Sequence, residues 1–131
     1  MTDSEQTVVA RGFAAHSQER NAPEYRKEFV KWLAFDDKND LIAALTADVL
    51  WDWMYVDELW VHANLRDRGL GKRLMILAGE LAQAEGLQGI WLWTQSWQAE
   101  EFYARLGYEE FARFENAPKG HTRIGFRKQL P

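Results

Sequence analysis

The stretch RDRGLGKRL, Arg66–Leu74, places two glycines and four positive charges in nine residues. Behind it Leu70, Leu74, Leu77 and Leu81 recur at steps of four, three and four, the stripe of an amphipathic helix, and Gly86 suits the position that ends one. Before it runs ELWVHANL, apolar and strand-like. A glycine-rich turn feeding a helix leaves the first helical amides unpartnered at the positive end of the dipole, which makes an anion cradle. A P-loop is excluded, because Arg66 stands where its first glycine belongs and Arg73 where its hydroxyl belongs. A dinucleotide-binding fingerprint fails as well, since its third glycine falls on Leu74. What remains is Arg-x-x-Gly-x-Gly: Arg66, Gly69 and Gly71.

Outward from this turn, periodicity sets the elements. Ser4 to about Glu19 carries Val8, Val9, Phe13 and Ala14 at helical spacing, and Asn21-Ala22-Pro23 breaks that helix. EFVKWLAFD, LIAALTADVL and WMYVDELWV read as three strands of an antiparallel meander. GIWLWTQ is apolar at nearly every position, as expected of a strand covered on both faces. Ser96 is placed to cap a second helix, with Glu100 and Glu101 near its start, Arg105 near its end and Gly107 as its stop. YEEFARF and TRIGFRKQL close the order as two further strands, whose exposed edges invite pairing between subunits. The expectation is an α/β fold with a mixed, mostly antiparallel central sheet flanked by helices. No repeat or Pro/Gly-rich linker divides it, so residues 1–131 form one domain.

Composition narrows the function. The net charge is −4 and no long basic block occurs, which argues against nucleic acid. The absence of cysteine removes disulfides, thiolate zinc sites and cysteine nucleophiles together. His16, His62 and His121 lack ligand spacing, so no metal is expected, and no Gly-x-Ser-x-Gly elbow occurs. The opening MTDSEQTVVARG lacks a signal core and no apolar run spans a bilayer, so the reading is a cytoplasmic protein with no membrane partner. Trp51 and Trp53 read as core before they read as an amine-binding cage.

The Arg66–Gly71 motif, the strand YVDELWV ending five residues before Arg66, and FYARLGY at Phe102–Tyr108 together resemble the GCN5-related N-acetyltransferase (GNAT) family. The resemblance covers roughly Glu28 to the C-terminus. SWQAEEFY is similar to a subgroup written SFQAxxFY, with Ser96 where many members carry asparagine. Two departures stand out: the family's first strand is hard to find before the opening helix, and Trp51-Asp52-Trp53 replaces the small residues of a sharp bend.

The resemblance implies acetyl transfer from acetyl-CoA, the co-substrate, to an amine. Backbone amides between Asp67 and Lys72 would meet the pyrophosphate. Gly69 and Gly71 let the main chain come close, Arg68, Lys72 and Arg73 add charge, and Arg66 braces the loop. Leu70 opens the helix, and Ser96 joins the cofactor set. The family pairs the pantetheine arm with the central strand, here Leu59, Trp60 and Val61, and an amide there would polarise the acetyl carbonyl. An alkyl ammonium is less than about one part in a thousand neutral at pH 7, and a carboxylate, directly or through water, can collect its proton. Asp57 and Glu58 are the candidates; alternation puts them on opposite faces, so at most one enters the cleft unless a bulge intervenes. Tyr103 matches the family's proton donor to the departing sulfur. His121 is read as an exposed loop residue before an acceptor-pocket one. The short chain favours a small-molecule amine as acceptor and a homodimer as assembly. A protein lysine or N-terminal acetyltransferase, and a CoA-binding module without turnover, are the alternatives.

Overall fold

The computed structural model describes residues 1–98 and 100–131. The chain opens on α1 (Asp3–Glu19), started by a capping box in which the Thr2 hydroxyl accepts from the Glu5 amide and the Glu5 carboxylate accepts from the Thr2 amide. Asn21, at φ 56°, ends it in the left-handed conformation, with the Ala22 amide donating back to the Ser17 carbonyl at 2.9 Å. The predicted break at Asn21-Ala22-Pro23 is therefore made first by the asparagine.

The meander follows as β1 (Lys27–Phe35), β2 (Leu41–Leu50) and β3 (Trp53–Val61). Next come α2 (Leu70–Ala84), β4 (Gly89–Gln95), α3 (Glu100–Arg105), β5 (Glu109–Glu115) and β6 (Thr122–Gln129). Among the described residues the six strands make one sheet in the order β1-β2-β3-β4-β6-β5, antiparallel except where β3 runs parallel to β4. β6 is thus interior, between β4 and β5. The expected edge at TRIGFRKQL does not exist: the free edges belong to β1 and β5, because α3 carries the chain past β4's neighbour before β6 returns to fill it.

One face of the sheet holds the core. Ala43, Leu45, Ala47 and Val49 of β2, Met54 and Val56 of β3, Ile90 and Leu92 of β4, and Ile124 and Phe126 of β6 are buried there. α2 lies on them through Leu74, Met75, Ala78 and Ala82, so the buried stripe runs one position beside the leucine pattern, and Leu70 and Leu81 flank it half-buried. Gly86, at φ 69°, closes α2: its amide donates to Gln83 and the Leu87 amide to Ala82, which leaves Leu87 buried. α3 adds Tyr103, packed against Tyr108 and Phe126 on the same face. The other face carries Tyr55, Trp91, Trp93 and Phe111 in mutual contact, with Arg123 over the Trp93 ring at 4.8 Å. Gly125 leaves room for this stack, since a Cβ there would lie 2.8 Å from Phe111. No residue of α1 is buried. GIWLWTQ is therefore covered by helix on one side only.

Candidate active site

The parallel pairing of β3 with β4 runs from Trp53–Gly89 to Val56–Leu92 and stops. At that point β3 bulges: Ala47 opposes Val56 and Thr46 opposes Glu58, so Asp57 is the extra residue. Beyond it Glu58–Val61 keep their pairing to β2 but lose β4, and the two strands part. The open edge of β3 lines a cleft of about 1490 Å³, larger than the roughly 300–1,000 Å³ of a site for one small molecule.

At one end of the cleft stands the mouth of α2. A short 3₁₀ turn, Ala63–Leu65, is started by His62, whose Nδ1 accepts from the Asn64 amide. The chain then passes through Asp67, at φ 63°, and Gly69, at φ 81°, the N-cap of α2. Gly69 offers no side chain to cap the helix, and the amides of Leu70, Gly71 and Lys72 have no partner among the described residues. None of the ion pairs among the described residues uses Arg66, Arg68, Lys72 or Arg73. Arg66, Asp67, Gly69, Leu70, Gly71 and Lys72 all line the cleft; Arg68 does not. Gly69 is required for its conformation, since nothing lies within 4 Å of where its Cβ would be. Gly71 packs closely: a Cβ would sit 3.4 Å from the Phe102 ring.

At the splayed centre, Asp57 and Glu58 both line the cleft, and the bulge breaks the alternation that would have separated them. Glu58 Oε1 accepts from the Thr46 hydroxyl at 2.9 Å. Asp57 lies near enough to Tyr55 to raise its phenol, although loss of solvent is the larger cause. Tyr103 reaches the cleft from the helix-covered side. Its ring is buried, its hydroxyl makes no hydrogen bond among the described residues, and burial pushes its pKa up to about 12. Glu58 pairs with Thr46 on the opposite face of the sheet. The two candidates thus flank the gap from its two sides.

Leu59 and Val61 turn into the core while Trp60 turns out, and all three line the cleft. Ser96 lines it too, and its hydroxyl accepts from the Thr122 amide at 3.1 Å, tying the turn after β4 to β6. Gln98 is the residue sequence reasoning missed. Its Oε1 accepts from the Thr94 hydroxyl at 3.2 Å and the Gln95 amide at 2.9 Å, which folds the turn after β4 back onto the end of that strand. Its only signal was its place in SWQAEEFY. Trp93 and Trp97 also line the cleft, and Trp97 stands edge-on to the loop residue His121 at 4.8 Å. Trp51 and Trp53 do not reach it; Trp51 packs on Tyr25. No trio of His, Cys, Asp or Glu among the described residues gathers to hold a metal.

A profile of the acetyltransferase (GNAT) family matches residues 4–108. The blasticidin-S acetyltransferase of Streptomyces morookaense is 39% identical over 98 residues, which is 74% of this chain and 72% of that protein. A crystal structure of an acetyltransferase from Bacillus cereus ATCC 14579 superposes with a TM-score of 0.87 at 26% identity, over 99% of this chain and 94% of that one. A structure from Bacillus anthracis str. Ames, described as a streptothricin acetyltransferase in complex with acetyl coenzyme A, shares the fold with a TM-score of 0.71 at 22% identity, over 80% of this chain and 64% of that one.

Proposed function

The chain belongs to the acetyltransferase (GNAT) family, and within it we propose that this acyltransferase moves the acetyl group of acetyl-CoA to a primary amine of a small molecule by direct attack on the thioester. The observation that carries this reading is the continuity of one cleft: uncapped amides of α2 at one end, the open edge of β3 along it, and Glu58 and Tyr103 on either side of its centre. The amides of Leu70, Gly71 and Lys72 bind the pyrophosphate, with Lys72 and Arg66 adding charge. Main-chain groups of Leu59–Val61 take the pantetheine amides as a neighbouring strand would, and one N–H there holds the carbonyl oxygen as negative charge develops.

Glu58, held by Thr46, collects the ammonium proton directly or through water, and Asp57 adds negative charge that favours a cationic acceptor. The amine nitrogen bonds to the carbonyl carbon, the C–S bond breaks, and the sulfur leaves toward Tyr103. Because Tyr103 is raised to about 12, well above a thiol at about 8.5, its hydroxyl keeps its proton and donates a hydrogen bond that supports the thiolate as the tetrahedral centre collapses, and the released thiolate takes its proton from water. Small-molecule specificity is supported by the 39% identical relative, whose name places its acetyl group on blasticidin S. Residues 1–131 act as one catalytic domain, assembled as a homodimer.

The test is thiol release from acetyl-CoA against a panel of blasticidin S, streptothricin, aminoglycosides, polyamines and lysine or N-terminal peptides. Turnover confined to small amines supports the reading. Turnover with peptides alone sinks the small-molecule assignment, and calorimetric silence with excess acetyl-CoA sinks the cleft assignment itself.

A further inference from the structure

Two surfaces of this chain have no partner. The first is α1, in which no residue is buried and Val8, Val9 and Phe13 stand 68%, 43% and 70% exposed. The second is the sheet face away from α2. Strand register puts Phe29 and Leu33 of β1 on that face, opposite Asp48 and Ala44, and Trp60 of β3 opposite Ala44; all three aromatic or branched side chains are exposed. Tyr55, Trp91, Trp93 and Phe111 fill its centre. An amphipathic helix and an apolar sheet face each need cover, and here each is what the other lacks.

Area gives the scale. The chain exposes 9427 Å². A compact monomer of 15.3 kDa exposes about 7,100 Å², an excess here of roughly 2,300 Å². Over two chains the excess is roughly 4,600 Å², within the about 2,000–5,000 Å² that obligate homodimers bury. The helix also fits the face: its 17 residues run about 25 Å, close to the about 24 Å width of six strands.

The connection between α1 and β1 is anchored at both ends. Asn21 turns the chain in the left-handed conformation. Tyr25 is then pinned edge-on to Trp51 at 4.8 Å, and the Arg26 carbonyl accepts from the Trp51 amide while its guanidinium bridges Glu28 and Glu85. We infer that two copies exchange α1, each helix lying on the aromatic sheet face of the other subunit. A two-fold exchange covers both surfaces in one step and leaves neither open to further addition. The inference rests on the homodimer proposed above, and because Trp60 and Trp93 belong both to this face and to the cleft, the exchanged helix borders the site; its tests read mass and cross-linking, not turnover.

Light scattering of the full chain tests the assembly, and α1 variants test its basis. The expected mass is twice 15.3 kDa, and Val9→Asp with Phe13→Asp is expected to raise the dimer dissociation constant at least 100-fold. Those side chains make no buried contact in their own chain, so circular dichroism of the variant should keep its strand signal. Since the chain has no cysteine, Phe13→Cys and Phe29→Cys single variants can be mixed and joined by a flexible bismaleimide. A covalent pair holding one chain of each supports exchange. A dimer whose mass ignores the α1 variants overturns exchange and leaves the dimer standing. A wild-type monomer overturns both, and a cross-link within one doubly substituted chain shows the helix folded back on its own sheet and overturns exchange.

Discussion

The Thr46 hydroxyl donates to the Glu58 carboxylate at 2.9 Å, across the bulge that Asp57 makes in β3. Without the extra residue, strict alternation would send Asp57 and Glu58 to opposite faces. With it, both line the cleft, and the strand breaks from β4 at the same point. One irregularity therefore opens the site, frees the strand edge and aims the acids.

Glu58→Gln should lower kcat/KM at pH 7 by about 10²-fold, the usual worth of a positioned base. The deficit should shrink as pH rises toward 10, where the amine loses its proton unaided. Asp57→Asn should mainly raise the acceptor's KM, and Thr46→Val should cost less than Glu58→Gln because it loosens the carboxylate without removing it. A pH–rate profile of Glu58→Gln parallel to that of the unsubstituted enzyme would remove Glu58 from the role of base.

Tyr103→Phe separates chemistry from packing. The hydroxyl has no hydrogen-bond partner to lose among the described residues, so stability should change by less than about 1 kcal/mol. Loss of a donor to the departing sulfur should lower kcat by about 10²-fold with the KM for acetyl-CoA unchanged. Unchanged kcat would return Tyr103 to the core as a packing residue.

The same burial sets an alkaline limit. Loss of solvent raises Tyr103 to about 12 and raises Tyr108 as well, with Tyr103 a second cause for the latter. A raised phenol keeps the folded state favoured below the unfolded value of about 10, and that stabilisation is lost as pH climbs through the folded one. Chemical denaturation should therefore show stability flat to about pH 10 and falling toward pH 12. Tyr103→Phe should flatten the fall by on the order of 2 kcal/mol.

Much of this was legible beforehand, and the exceptions share a cause. β2, β3 and β4 lie where their apolar, strand-like runs put them, and Gly69 sits at φ 81° at the mouth of α2. Periodicity reads one chain's local pattern. It cannot say that Asp57 is the unpaired residue, because the count that matters includes Thr46 and Ala47 on another strand. It cannot see Gln98 gathering Thr94 and Gln95, nor that β6 returns inside β5. It reported that Val8, Val9 and Phe13 need cover and was silent on where the cover comes from.

The anion cradle separates basic residues by whether they reach it. Lys72 and Arg66 line the cleft, whereas Arg68 does not. Lys72→Glu should weaken acetyl-CoA by tenfold or more at low salt, and Arg68→Glu by less than about threefold, since an exposed charge outside the cleft acts only through a screened field. Gly69→Ala tests the backbone itself. A Cβ meets no neighbour there, so the cost is the left-handed conformation, about 1 kcal/mol of stability. If the amides beside Gly69 hold the pyrophosphate, Gly69→Ala should also weaken acetyl-CoA more than it weakens pantetheine, which lacks that group. Titration calorimetry of both ligands decides it: equal losses would mean the turn shapes the helix and does not touch the diphosphate.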